Sequence, residues 1–98
     1  MSLAAKPAAP ETARQERTRR LPPYRVLLHN DDVNEMVYVV CTIMELTALP
    51  EVEALQRMLE AHHKGVTLLL VTHKERAELL VDQFASKRLL VTIEPDET

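Results

Sequence analysis

The chain has 98 residues, of which 46% are hydrophobic and 28% charged, and this composition is typical of one small globular domain with or without a tail. Its first residues contain no apolar segment of signal-peptide length, and no apolar run is long enough to span a membrane, so we expect a cytoplasmic protein without a membrane segment. One cysteine, Cys41, excludes an internal disulfide and a multi-cysteine zinc site, and one glycine, Gly65, excludes a glycine-rich phosphate loop.

Charge divides the chain into two parts. Residues 1–23 carry five Lys and Arg against two Asp and Glu, whereas residues 24–98 carry seven Lys and Arg against thirteen Asp and Glu. The composition of residues 1–23 predicts a flexible basic arm, because it offers little apolar surface to bury. We predict a folded core over residues 24–95 and a frayed end over residues 96–98. An acidic core disfavours nucleic-acid binding, and nothing in the composition indicates more than a monomer.

The hydrophobic pattern of the first half predicts one strand and two helices. Residues 24–29 have the composition of a strand, and Asn34 stands at the N-cap position of a helix predicted over residues 35–47. Pro50 suits the first turn of a second helix, which Gly65 ends. The apolar positions of the first helix recur at helical spacing: Met36, Val39, Val40, Ile43 and Leu46. Those of the second helix are Val52, Leu55, Met58, Leu59 and His62.

The second half of the sequence predicts two strands around a third helix. Residues 66–71 and 89–94 are apolar runs of strand length. Between them, Thr72 and Glu75 have the spacing of a capping box. The apolar residues that follow at helical spacing predict a third helix that ends near Ser86, and they are Ala77, Leu80, Val81 and Phe84. The order βααβαβ, with such short elements, predicts an α+β two-layer sandwich in which three helices cover one side of a three-stranded, mostly antiparallel sheet.

The polar turn after the first predicted strand does not meet the requirements of a calcium loop. Asn30, Asp32 and Asn34 mimic the first three ligand positions of such a loop. The loop also requires a glycine at its sixth position and a glutamate at its last, but this chain has Glu35 and Cys41 there. We therefore do not expect the turn to bind calcium.

No arrangement of residues in the sequence points to metal binding or catalysis. His62 and His63 are adjacent and point to different sides of a helix, so they cannot share one ion as an i, i+4 pair does. Cys41 lies inside the first predicted helix, where we expect a buried and inert thiol. No serine elbow or catalytic carboxylate pair is recognisable, so we predict that the protein is not an enzyme and has no cofactor and no metal.

Two polar features stand out beside the apolar positions. One is the run of side-chain acceptors at residues 30–32, and the other is His62, which follows Met58 by one turn on the apolar stripe of the second helix. Each has a simpler interpretation, a polar turn in the first case and a half-buried, hydrogen-bonded histidine in the second. Together they suit a ligand with a positive amine and a large apolar group, since methionines adapt to apolar groups of different shape. The expected groove residues are Met36, Val39 and Met58.

At these residues the sequence resembles the ClpS family, the adaptors that recognise N-degrons for a Clp AAA+ protease. The resemblance covers residues 22–94 in the family's element order, and the family fold is the same βααβαβ sandwich. It is carried by the segments YRVLLHNDD (24–32), MLEAHHKG (58–65) and LLVTIE (89–94), together with Asn34, Met36, Tyr38 and Val39.

The resemblance implies a site for the N-terminal residue of a substrate protein. In the family the free α-amino group is hydrogen-bonded and the first side chain, typically Leu, Phe, Tyr or Trp, enters a small apolar pocket. By position, Asn30, Asp32 and His62 would hydrogen-bond the amino group, while Asp31 would add negative charge. The bound amine requires a neutral His62, because a protonated ring would bring two cations together.

The resemblance also assigns the walls of the apolar pocket. Met36 would be the gatekeeper that rejects β-branched side chains, and Asn34 would help hold the first peptide units. The remaining wall residues would be Val39, Met58, Ala61 and Leu89. This chain has Asn34-Glu35 where the family usually has Thr-Pro, and Ala61 where the family commonly has Val.

A second implied surface would dock the unfoldase partner, through the N-terminal domain of a ClpA- or ClpC-like protein. Glu75 matches an acidic position of that surface, and the basic arm over residues 1–23 corresponds to an arm thought to be engaged during delivery. The third helix is shorter than is usual in the family, and Leu80 stands where a basic residue is expected.

The sequence therefore predicts a non-catalytic adaptor that binds N-degrons with a bulky hydrophobic first residue and delivers them to a Clp unfoldase–protease. One alternative is a protein-interaction module of the same fold that does not read free N-termini. Another is a small metal-binding regulator that uses His29, His62 or Asp31.

Overall fold

Three strands and three helices follow one another in the order βααβαβ in the computed structural model, which describes residues 21–97. The predicted element order and fold class are confirmed. The elements are β1 (Tyr24–His29), α1 (Met36–Thr47), α2 (Glu51–Lys64), β2 (Val66–Thr72), α3 (Lys74–Ser86) and β3 (Val91–Pro95).

β1 is the central strand of the sheet, with β2 on one side and β3 on the other, and both pairings are antiparallel. Val26 of β1 pairs with Leu70 and the next residue, Leu27, pairs with Leu68, so Leu69 forms a β-bulge without a partner on β1. The bulged Leu69 is buried. The bulge therefore adds an apolar side chain to the core and shifts the pairing register by one residue over the end of β1 that leads into the polar turn.

The core lies between the helices and one face of the sheet. Phe84 of α3 is fully buried, as are Val26 and Leu28 of the central strand. Removing such a side chain from water contributes about 2 kcal/mol of stability. Ala77, Leu80 and Phe84 of α3 all lie in the core, so the predicted buried face of this helix is correct.

The predicted apolar face of α2 is wrong except at Met58. Val52 and Leu55 are 66% and 44% exposed, and the buried residues are instead Ala54, Met58 and Ala61. These three follow at i, i+4 and i+7, so they form a helical face as regular as the predicted one. The two alanines let α2 approach the rest of the core closely, and this steric advantage outweighs the larger area of the valine and leucine side chains.

The predicted caps of α1 and α3 are also wrong. Glu35 rather than Asn34 is the N-cap of α1, and His73 rather than Thr72 is the N-cap of α3, in both cases without a side-chain capping hydrogen bond. The side chain of Asn34 is instead bonded within the preceding loop and to a distant turn. Thr72 pairs with Tyr24 at the end of β2, so its extended backbone belongs to the sheet.

Two further differences concern Cys41 and the start of the last strand. Cys41 is exposed on the surface of α1, contrary to the expected burial. β3 begins at Val91 rather than at Leu89, because the chain first closes α3 with a turn in which Arg88 has a φ of 66° and the Leu89 N–H donates to the Phe84 carbonyl. Leu89 is nevertheless buried.

The predicted arm over residues 1–23 lies mostly outside the described residues, as does Thr98. At the boundary of the described core, the Asp96 N–H donates to the Pro23 carbonyl at 2.8 Å, which extends the pairing of β1 with β3 by one step. Within residues 21–97, none of the helices has the length and apolar character needed to cross a membrane.

Both helices of the first half end in a left-handed residue. Gly65 ends α2 with a φ of 93°, and Ala48 ends α1 with a φ of 64°. We expect Gly65→Ala to lower the free energy of unfolding by about 1 kcal/mol and Ala48→Gly to raise it by a few tenths to about 1 kcal/mol, because only a residue with a Cβ is strained there.

Equilibrium urea unfolding of the two variants measures this difference. Nothing lies within 4 Å of the position of a Cβ at Gly65, so backbone strain is the only source of the expected loss. Equal stability of Gly65→Ala and the native chain would contradict the argument.

Candidate functional site

A cavity of about 160 Å³ lies between the polar loop of residues 30–34, the start of α1 and the second half of α2. The residues that line it come from segments far apart in the sequence. They are His29, Asn30, Asp31, Asp32, Asn34, Met36, Val39, Met58 and His62. The structure thus gathers both polar features singled out by the sequence, together with the three predicted groove residues.

Backbone hydrogen bonds at the end of β1 bring the two polar features together. The Asn30 N–H donates to the Gly65 carbonyl at 2.9 Å, and the His29 N–H donates to the Leu90 carbonyl at 3.1 Å. Gly65 directly follows α2, so the first of these bonds fixes the start of the loop against the helix end that carries His62. The second fixes it against the segment that leads into β3.

Asp31 is bonded within its own loop. Its Oδ1 accepts the N–H groups of Val33 and Asn34 at 2.7 and 2.9 Å, and its Oδ2 accepts from the Asn34 side-chain amide at 2.7 Å. The backbone N–H of Asn34, then its side-chain amide and the Val33 N–H, hold the pKa of the Asp31 carboxyl below its ordinary value against a smaller opposing effect of burial. Asp31 therefore has the polar-turn role that was the simpler interpretation of this loop.

Asn30 and Asp32 leave acceptors available beside the cavity. The Asn30 side-chain amide donates to Oδ1 of Asp32 at 3.0 Å, which orients the two side chains toward each other. Within residues 21–97, neither Oδ1 of Asn30 nor Oδ2 of Asp32 takes part in a further hydrogen bond. These two oxygens can accept protons from a ligand.

His62 is exposed near the end of α2, with its ring edge-on to that of His63 at a centroid distance of 5.3 Å. In the part of the chain that the structure describes, no side chain or backbone group hydrogen-bonds to the His62 ring. The simpler interpretation of His62 as a half-buried, hydrogen-bonded histidine is therefore wrong. A neutral ring at this place offers one nitrogen as an acceptor.

The apolar part of the cavity has a buried wall and an exposed rim. Val39 and Met58 are buried, whereas Met36 is 46% exposed. Ala61 and Leu89 are buried in the core but are not among the residues that line the cavity. His29 does line the cavity, with its Nε2 bonded to the Thr92 hydroxyl at 2.7 Å, although the sequence analysis did not include it in this site. Its position next to Asn30 was the available signal.

The metal-binding alternative gains no support from the geometry. His29, Asp31 and His62 all line the cavity, yet no three His, Cys, Asp or Glu side chains within residues 21–97 lie close enough together to hold a metal ion. Carboxylate and neutral acceptors adjoin an apolar wall here, an arrangement whose chemistry suits a cation that carries an apolar group.

Glu75 lies apart from this cavity, in the first turn of α3. It lines a second and larger cavity of about 520 Å³, which also involves residues 21–24 at the start of the described chain. Leu80, which stands where the resemblance leads one to expect a surface cation, is buried in the core, so it does not belong to an exposed docking face.

Comparison with known proteins identifies the family. Residues 19–90 match the family described as "ATP-dependent Clp protease adaptor protein ClpS". The ClpS adaptor protein of Synechococcus sp. strain CC9902 is 44% identical over 90 residues, covering 91% of this chain and 83% of that protein. The chloroplastic CLPS1 adaptor of Arabidopsis thaliana is 40% identical over 76 residues, covering 76% of this chain and 48% of that protein.

A solved structure has the same fold. Agrobacterium tumefaciens ClpS2, determined bound to L-phenylalaninamide, superposes with a TM-score of 0.71 at 25% identity, covering 76% of this chain and 98% of that one. The family match and the sequence relatives both extend across the cavity and its loop. This chain therefore belongs to the ClpS family of Clp protease adaptor proteins.

Proposed function

We propose that this protein is a non-catalytic, monomeric, cytoplasmic adaptor that binds substrates through a free N-terminal amine and a bulky hydrophobic first residue, and delivers them to a Clp AAA+ unfoldase. The observation that carries the proposal is that acceptors from two separate segments line one cavity with an apolar wall. Asn30 and Asp32 approach it from the end of β1, and His62 approaches it from the end of α2.

The number of available acceptors suits a primary ammonium group. Such a group has three protons, and burying it is costly unless each proton finds an acceptor. Asn30 Oδ1, Asp32 Oδ2 and one nitrogen of neutral His62 provide three. The charge of Asp32 strengthens its hydrogen bond to the amine, since hydrogen bonds to ionised groups are stronger than neutral ones. Asp31 adds negative charge nearby, which attracts the amine without a direct hydrogen bond.

The size of the cavity suits one side chain. The cavity measures about 160 Å³ including its polar end, and a closed apolar cavity of roughly 150 Å³ holds a molecule as large as benzene. Met36, half exposed at the rim, is the proposed gate against side chains that branch at Cβ. The similar Agrobacterium protein was determined with L-phenylalaninamide, which combines a free amine with a benzyl side chain.

Affinities for peptides that differ only in their first residue test the proposal. We expect fluorescence anisotropy to detect binding when that residue is Leu, Phe, Tyr or Trp, and at least about tenfold weaker binding for Ile, Val, Arg and acetylated Leu. Acetylation removes the charge and two of the three donor protons together.

In Met36→Ala, Ile and Val peptides should gain affinity relative to Leu, while acetyl-Leu remains excluded.

Binding that ignores both the first residue and the acetyl group would favour the alternative, an interaction module of the same fold that does not read free N-termini.

Protonation of His62 should weaken binding as the pH falls. From neutral to mildly acidic pH we expect a loss of about tenfold in affinity for a Leu peptide, because a protonated ring has no acceptor nitrogen and brings a second cation beside the amine. The α-amino group itself becomes more protonated over this interval, which acts in the opposite direction.

Two variants separate His62 from its neighbours in the same measurement. His62→Gln should bind more weakly at high pH but lose the acid dependence. His63→Gln and His29→Gln should keep it, and the latter control matters because His29, like Asp31 and Asp32, lines the same cavity. An acid loss that persists in His62→Gln would contradict the assignment.

Delivery requires a second surface, for which Glu75 is the proposed residue. Glu75 is exposed and lines the larger cavity beside residues 21–24, where a partner side chain could enter. We expect Glu75→Lys to weaken binding to the isolated N-terminal domain of a ClpA- or ClpC-like unfoldase by about tenfold, as measured by calorimetry, without changing peptide affinity.

The matched control is Glu78→Lys, which makes the same charge change one turn further along α3 at an exposed position outside that cavity. Equal losses of affinity for the two variants would show that the effect comes from net charge alone. An unchanged affinity for Glu75→Lys would show that Glu75 is not part of the docking surface.

A further inference from the structure

Asn34 connects two segments that lie 54 residues apart in the sequence. Its side-chain amide donates one proton to Oδ2 of Asp31 at 2.7 Å and the other to the Arg88 carbonyl at 3.1 Å. An asparagine amide has two donor protons, so both are used inside the protein. No Asn34 donor remains for a peptide, which differs from the role that the family resemblance gave this residue.

The turn that receives this bond is the sharp one between α3 and β3. Arg88 has a φ of 66°, and the adjacent Lys87 carbonyl accepts the hydroxyl of Tyr38 from α1 at 3.0 Å. The two consecutive carbonyls of the turn thus accept hydrogen bonds from side chains in two different segments, the polar loop and α1. Asn34 holds the turn to the loop, whereas Tyr38 holds it to the helix.

The bonds of Asn34 continue to the acceptors of the site. Asp31, which Asn34 holds through both its backbone and side-chain N–H groups, lies between Asn30 and Asp32. Without the two side-chain bonds of Asn34, the loop keeps the Val33 and Asn34 N–H bonds to Asp31, the side-chain bond between Asn30 and Asp32, and the Asn30 N–H bond to Gly65. The residue at position 34 therefore determines how firmly the loop acceptors are held opposite His62.

We propose that Asn34 is a positioning residue, which fixes the amine-binding loop by tying Asp31 to the turn at Arg88, and that it does not itself contact the substrate chain. This inference rests on the proposed function. It predicts that replacing Asn34 lowers the affinity for the amine group, whether or not the ligand continues as a peptide after its first residue.

The test compares two probes on Asn34→Ala: 2-phenylethylamine, which has the amine and ring but no peptide unit, and a peptide that begins with Phe. NMR titration measures the first affinity and anisotropy the second. We expect both to fall by the same factor, about tenfold, with the ranking of first residues unchanged. A loss confined to the peptide would make Asn34 a peptide contact and overturn the proposal.

Tyr38→Phe is the matched control, because it removes a side-chain bond to the same turn but leaves the loop bonds intact. Both affinities should then stay within about twofold of the native values. Equal losses in the two variants would mean that the turn acts only through general stability.

A second measurement does not depend on binding. The NMR-detected pKa of Asp31 should rise toward its ordinary value in Asn34→Ala, because the carboxylate loses a donor, and should not change in Tyr38→Phe. An unchanged Asp31 pKa in Asn34→Ala would contradict the proposed role of the bond from the Asn34 side chain to Asp31. If neither probe binds the native protein, the proposed function itself fails and the positioning role in binding fails with it.

Discussion

The hydrogen bond from the Asn30 N–H to the Gly65 carbonyl is the constraint on which the candidate site depends. It joins the first residue after the central strand to the first residue after α2, and so brings the polar loop to His62. Gly65 can serve here because its left-handed φ turns the chain from helix into strand, which a residue with a Cβ does only at a cost. The single glycine of the chain thus ends a helix and also accepts the bond that shapes the site.

Hydrogen bonds fix the loop in the arrangement that the proposed amine site requires. Asp31 is bonded to its own loop and Asn34 ties that loop to a distant turn. One oxygen each of Asn30 and Asp32 then remains at the cavity without a partner among residues 21–97. A receptor that is already ordered loses little entropy on binding, and an ammonium needs all its acceptors in position to repay its desolvation. The two carboxylates of the loop therefore differ: Asp31 is bonded within the loop, whereas Asp32 is the one that the proposed function assigns to the ligand.

The predicted caps and the predicted face of α2 are wrong for a common physical reason. Asn34 and Thr72 both have side chains that can cap a helix. However, the side chain of Asn34 is bonded to the Arg88 carbonyl, and the backbone of Thr72 is paired in the sheet. On α2, the periodicity of the leucines predicted the wrong face, since Ala54 and Ala61 allow a closer helix contact than larger residues. Local propensities are worth about 1 kcal/mol or less, and packing decides between alternatives of that size.

The sequence by itself determined the element order, the helix end at Gly65, the buried face of α3 and the set of acceptors near His62, because spacing and backbone preference are local properties. The tertiary structure alone decided that His62 has no partner among the described residues, that Cys41 is exposed, and that Ala61 and Leu89 lie in the core rather than on the cavity wall. It also gave Asp31 and Asn34 their bonds. Exposure and hydrogen-bond partners depend on which elements pack together, and that depends on contacts between residues far apart in the chain.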